Sequence, residues 1–260
     1  MRVGVDSRQH EIRVAQTCLR RIHEPLVRDL ADRAAGIRGR FVVLIAGPPG
    51  SGKSTLASLW VAVASGLGLS VPFQALPMDG FHLPNRELER RSAPLPDGTV
   101  ALLWRFKGIP ETYDFDQLHA ALGLTRSPAP LGWPMYDRTL HDPVPDAVAV
   151  IPHGVLLVEG NFLLLNEPGW RDLRDSADRS IFIECGRELT ANTVFQRFVE
   201  GGRDPADARR HLEEVDIPNW RRVMAGRPAA DIVIRVGRRR GLSIIHNRSA
   251  ECLAQPVIFQ

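Results

Sequence analysis

Apolar residues in this chain come in short runs bounded by glycine, proline and charge, and these runs alternate with stretches of helical periodicity. Phe41-Val42-Val43-Leu44-Ile45-Ala46 is continuous, β-branched and too short for a helix, the pattern of a strand buried on both faces. Similar runs predict strands at 71–78, 155–158, 180–184 and 232–236. Between them, Ile12, Ala15, Leu19, Ile22, Leu26, Leu30 and Ala34 recur at helical spacing and predict an amphipathic helix over 8–36. Thr55-Leu56-Ala57-Ser58-Leu59-Trp60-Val61-Ala62 predicts a second helix, and Asp114 a cap for a third that ends near Leu122. A short helix is expected near Pro84, and longer ones over 187–200 and 205–225, broken at Gly201-Gly202. Residues 80–110 otherwise read as loop, and so do 125–146, which hold five prolines. Strand alternating with helix predicts an α/β fold with a doubly wound, mostly parallel sheet. Residues 1–36 form a helical segment packed on the core, 37–240 the main domain, and 241–260 a C-terminal extension of it; there is no internal repeat.

Composition narrows the choice of partner. A net charge of +3 over 260 residues does not mark a nucleic-acid surface. The chain carries 31 arginines and only two lysines, so an arginine cluster has meaning only through its position. Cys18, Cys185 and Cys252 lie far apart, without C-x-x-C or zinc spacing, and read as free or buried thiols in a reducing compartment. Met1-Arg2-Val3-Gly4-Val5-Asp6 has no apolar signal core and no run reaches membrane-span length, so the expectation is a soluble, cytoplasmic protein.

One of the two lysines stands in Gly47-Pro48-Pro49-Gly50-Ser51-Gly52-Lys53-Ser54, which satisfies G-x-x-x-x-G-K-S/T, the phosphate-binding P-loop. Its glycines let successive backbone N–H groups turn inward as an anion cradle. Lys53 reaches the outer phosphates, and the Ser54 hydroxyl can ligate magnesium, with Thr55 next to it. A buried strand precedes the loop and a helix follows, so the helix N-terminus points at the phosphates. Asp79 and Glu159 each follow a predicted strand and should meet the loop at the carboxyl edge of the sheet. Glu159, closing Leu156-Leu157-Val158-Glu159-Gly160, is the candidate Mg2+ ligand beside Ser54. Asp79 is the candidate base for a hydroxyl proton; Gly80 would permit the turn that aims it, and His82 could orient substrate.

Together these pieces resemble the P-loop kinases of the phosphoribulokinase, uridine kinase and bacterial pantothenate kinase superfamily, with a nucleoside/nucleotide kinase-like branch nearest. The resemblance runs from about Phe41 to Val236. Met78-Asp79-Gly80-Phe81-His82 looks like the motif whose Asp is the general base. Phe106-Lys107-Gly108-Ile109-Pro110-Glu111-Thr112-Tyr113-Asp114 is similar to the segment before the acceptor-site helix of pantothenate kinases. Pro134-Met135-Tyr136-Asp137-Arg138 matches an acceptor-lining P-x-Y-D element, which with His141 implies contacts to acceptor hydroxyls. Arg197, Arg203, Arg209 and Arg210, then Asp216 and Asn219, fall where the family carries a helical lid, about 197–220, with Arg203 the arginine implied in catalysis. ATP and Mg2+ are the implied cofactors. The partner is a small-molecule acceptor, not a nucleic acid or membrane, and the assembly to consider is a homodimer.

The implied activity is transfer of the γ-phosphoryl group of ATP to a hydroxyl of a nucleoside, a pantothenate-like compound or a sugar. A nucleotide-dependent switch or transport-coupled ATPase is the alternative, although there is no N-K-x-D or L-S-G-G-Q and the Glu159 strand lacks an Asp-Glu ending. A nucleic-acid reading rests on Arg238-Arg239-Arg240 alone.

Overall fold

The computed structural model describes residues 2–5, 8–11, 14–94, 98–237 and 241–247; the Arg238-Arg239-Arg240 run, Ile12 and Cys252 lie outside them. Arg2–Val5 (β1) and Arg8–Glu11 (β2) pair antiparallel where helical spacing predicts helix. Residues 8–11 are all polar and offer no apolar stripe for a helix to bury. Helix begins at Gln16–Cys18 (α1), passes through a wide π turn at Leu19–His23 and continues as Glu24–Ala35 (α2). Its buried residues, Leu26, Val27, Leu30, Ala31 and Ala34, follow the 3.6-residue period.

Arg40–Ala46 (β3) is buried throughout and leads through the P-loop into Lys53–Gly66 (α3). Phe73–Pro77 (β4) follows, then Asn85–Leu88 (α4), a small hairpin of Ser92–Pro94 (β5) and Val100–Leu102 (β6), and Phe115–Leu124 (α5). Asp114 caps α5 as expected, accepting from the Gln117 N–H at 2.9 Å. Residues 125–146 are not all irregular: Gly132–Asp137 (β7) and Asp142–Ala149 (β8) form a hairpin. A two-stranded ribbon has two free edges, so Pro134, Pro143 and Pro145 remove few ladder bonds. Gly154–Gly160 (β9), Arg179–Cys185 (β10), Arg187–Glu200 (α6), Pro205–His211 (α7), a π turn at Leu212–Asp216, Ile217–Met224 (α8), Ile232–Val236 (β11) and Leu242–Asn247 (β12) complete the chain. β12 is a further strand that the weakly patterned tail concealed.

The main sheet has the order β12-β11-β10-β3-β9-β4 and is parallel except for β12. Alternate residues of β3 enter opposite cores. Val42, Leu44 and Ala46 pack with Leu156, Val158, Phe182 and Trp133; Phe41, Val43 and Ile45 pack with Leu157, Ile183, Leu26, Leu30 and Trp60. Helices and loops therefore cover both faces, the doubly wound arrangement. Arg40, buried at the start of β3, donates to the carbonyls of Ile151 (2.7 Å), Ala129 (2.9 Å) and Ser127, tying the end of the α5 region to the sheet. Among the described residues no helix is long and apolar enough to cross a membrane.

Candidate active site

Strand register brings the predicted carboxylates to the P-loop. Ile45 pairs with Glu159, Ala46 with Gly160, and Pro77 with Glu159, so the loop, Glu159 and Asp79 leave three adjacent strands at one edge. Neighbouring strands lie about 4.8 Å apart, which spans the site with β9 in the middle. Within the loop, Gly50 and Gly52 have φ of +69° and +93°, values an L side chain rarely adopts. A Cβ on Gly50 would also stand 3.0 Å from Val194 and 3.3 Å from Thr193, because α6 packs directly on the loop.

Lys53, the first residue of α3, is buried and its Nζ donates to the Pro48 carbonyl at 3.0 Å. Burial pushes its pKa down to about 8, opposed by the charges of Glu159 and Asp79 and assisted by Arg197. Glu159 is itself buried. The Ser51 hydroxyl is buried within the loop with no hydrogen-bond partner. An unpartnered hydroxyl, a buried ammonium and the N-terminus of a long helix form a cradle suited to a phosphate chain.

Asp79 lies in the tight turn Met78–Phe81, where Tyr113 Oη donates to its Oδ1 at 3.2 Å. Tyr113 is buried against Phe162 and Trp170 and stacks on His82 at 3.9 Å. Burial, then Asp79, raise its hydroxyl well above the usual tyrosine range, so it remains a donor to Asp79 Oδ1. His82 Nδ1 lies 3.3 Å from the Thr112 carbonyl, which can only accept; burial pushes this imidazole down to about 4, so it is neutral with Nε2 as an acceptor. Gly80 does not have the positive φ that aiming the turn would need. Its role is contact: an added Cβ would stand 2.0 Å from the Pro134 carbonyl oxygen, because β7 lies against the turn.

The five expected acceptor contacts separate. His82 and Tyr136 share the Asp79 pocket, their rings 5.4 Å apart, and burial with Asp79 and Asp142 pushes the Tyr136 hydroxyl up to about 12. Asp137 instead holds the β7–β8 turn, its Oδ1 accepting from the backbone of Thr139 and Leu140 at 2.7 and 3.0 Å. His141 directs its carbonyl inward, to Asn85 Nδ2 (2.9 Å) and Lys107 Nζ (2.8 Å). Arg138 is exposed in the same turn, with its charge felt at Tyr136. Asn85 was not singled out from sequence; Lys107 and Tyr113 stand in the segment that resembles pantothenate kinases but carried no role of their own there, although a lysine in an arginine-rich chain was a usable signal for Lys107.

The predicted lid divides in two. Arg203 lies 4.3 Å over the Phe198 ring and Arg197 5.8 Å from it; Arg209 lies 5.4 Å from the Phe195 ring and Arg210 pairs with Asp207 at 2.9 Å. The next segment is docked: Val215 packs with Leu83, Leu88, Leu103 and Ile109, and Asn219 Nδ2 donates to the Gly108 carbonyl at 2.8 Å. Arg222 grips Glu111 and Glu167 at 2.6 to 3.1 Å. Asp216 is buried with Oδ2 unpartnered and His211 Nε2 at 4.0 Å. Burial pushes its carboxyl up to about 7 against Arg197 and Arg203. Its folded pKa is raised, so its contribution is complete below the unfolded value near 4 and is lost as pH rises through 7. Asp216→Asn should therefore match the parent near pH 4 and be more stable above pH 7, by on the order of 2–4 kcal/mol. Thermal melts at both pH values check this; equal differences at the two would remove the effect.

No family model matches the chain. It is 34% identical to the uncharacterized protein YggC of Escherichia coli, over 83% of this chain and 86% of that one. A Schizosaccharomyces pombe protein provisionally named a uridine kinase is 32% identical over 63% of this chain and 68% of its own length. Among solved structures, a Silicibacter protein provisionally named a fructose transport system kinase superposes with a TM-score of 0.67 at 34% identity, over 78% of this chain and 93% of that one.

Proposed function

The chain belongs to the superfamily of P-loop kinases that includes uridine kinase, pantothenate kinase and phosphoribulokinase, and from that we propose that it transfers the γ-phosphoryl group of ATP to a hydroxyl of a small metabolite. What carries this reading is the meeting of Lys53, Glu159 and Asp79 at one sheet edge, each with a different task. Lys53 exchanges the Pro48 carbonyl for the outer phosphates of ATP, and Ser51 and the loop N–H groups hold the chain of phosphates. Ser54 and Glu159 are the residues that would hold magnesium, which neutralises charge on the phosphate oxygens when bound. Asp79, fixed by Tyr113, takes the proton of the attacking hydroxyl. His82 and Tyr136 line the acceptor side. Arg203, with Arg197, closes over the transferring group and excludes water.

The test is ADP release from Mg-ATP across nucleosides, pantothenate, sugars and sugar phosphates. Release that depends on one acceptor class supports the reading; release that ignores every acceptor favours an ATPase. Lys53→Ala should fold normally and lose nearly all ATP-dependent turnover, and wild-type ATP affinity in this variant would dismiss the P-loop assignment. Amide exchange over 197–211 should slow when ATP analogue and acceptor are both present, and Arg203→Ala should lower kcat with little change in Tm.

A further inference from the structure

The second lysine raises a separate question. Lys107 is half-buried, and its Nζ donates to Asn85 Oδ1 at 2.6 Å and the His141 carbonyl at 2.8 Å, with the Tyr136 ring 4.9 Å away. Both hydrogen-bond acceptors are neutral oxygens, and an ammonium has three donors. Among the described residues no carboxylate stands within 4.0 Å of it. The carboxylate that acts on it most, Asp142, already accepts the Asn85 N–H at 2.8 Å. Arg222 is compensated by Glu111 and Glu167 and Arg174 by Asp231, and the buried Arg40 spends its guanidinium on three backbone carbonyls, whereas Lys107 makes only two hydrogen bonds among the described residues. A charge taken partly out of water without a counter-ion is unfavourable unless something supplies one. The charge of Lys107 is felt at His82, whose ring stacks on the tyrosine that holds Asp79.

We propose that Lys107 makes the acceptor site selective for molecules carrying an anionic group, a phosphate ester or a carboxylate, at a position distinct from the hydroxyl held by Asp79. The inference rests on the kinase reading above and narrows its substrate class. Asn85, the His141 carbonyl and the Tyr136 ring fix the ammonium, and the third N–H goes to the incoming anion. A compact ammonium accommodates these several directions, whereas a planar guanidinium does not.

Matched pairs test it: fructose 1-phosphate against fructose, and pantothenate against its neutral alcohol, each with Mg-ATP. The anionic member should be favoured at least about tenfold in kcat/KM, and the phosphate and carboxylate pairs show which group is read. Lys107→Met should bring that ratio to about one, with Lys107→Arg recovering part of it. Because the chain has two lysines, selective ¹⁵N-lysine labelling gives two side-chain ammonium signals in the unmodified protein. The Lys107 signal should move with the anionic member of a pair and stay with the neutral one. Turnover that is indifferent to the anion, or a Lys107 signal that none of the anionic compounds moves, overturns the proposal. A shifted signal without acceptor-dependent ADP release would preserve the anion site and discard the kinase reading.

Discussion

Asp79→Asn is expected to lower kcat by about 10² to 10⁴ and to leave ATP affinity close to that of the parent. The amide has the size and shape of the carboxylate and can still meet Tyr113 Oη, so the pocket keeps its form. What it loses is the ability to take a proton. Tyr113 cannot substitute, since burial beside Asp79 keeps its hydroxyl protonated far above neutral pH. Steady-state kinetics with a saturating acceptor, alongside nucleotide titration, separate the two effects. An unchanged kcat with a raised acceptor KM would reduce Asp79 to a group that only positions the acceptor.

Gly80→Ala is expected to be among the most damaging small substitutions in the chain. The added methyl would lie 2.0 Å from the Pro134 carbonyl oxygen, 2.3 Å from its carbon and 2.8 Å from the Met135 nitrogen. These are backbone atoms and cannot rotate aside, so β7 must lift from the turn that carries Asp79. Overpacking of this kind costs about 3 kcal/mol or more, roughly a 6–12 °C fall in Tm for a domain of this size. Because Tyr136 also lies on β7, the acceptor KM should rise with the loss of stability. A melting curve within a degree or two of the parent would mean that β7 does not bear on Gly80 as the geometry requires.

The central strands were legible because a strand buried on both faces has to be an unbroken apolar run, as β3 and β9 are. Their carboxyl ends then fix where Lys53, Asp79 and Glu159 meet. The β7–β8 hairpin was hidden by its prolines, whose harm depends on neighbours that a linear pattern does not show. Gly80 invited a turn explanation for the same reason; its true neighbour, Pro134, is distant in sequence. Tyr113 and Lys107 gain their roles only from what the fold sets beside them, a carboxylate for one and a ring with two neutral oxygens for the other. Asp216 and Asn219 were grouped with a mobile lid by position, yet both are buried, and Asn219 is bonded to the Gly108 carbonyl.

That junction would limit how the proposed lid opens. Thr193 and Val194 rest on the P-loop, while Val215, Asn219 and Arg222 hold the far wall, so the exposed stretch between them is tethered at both ends. On the proposed lid reading, a span tethered at both ends would bow outward instead of swinging free, and would not have to find its landing place again after each turnover. The entropy of keeping its ends together grows only slowly with length. Extra residues inserted at Gly201-Gly202 should therefore leave the fold intact and lengthen the bow, making that point a natural place for a reporter group that senses closure.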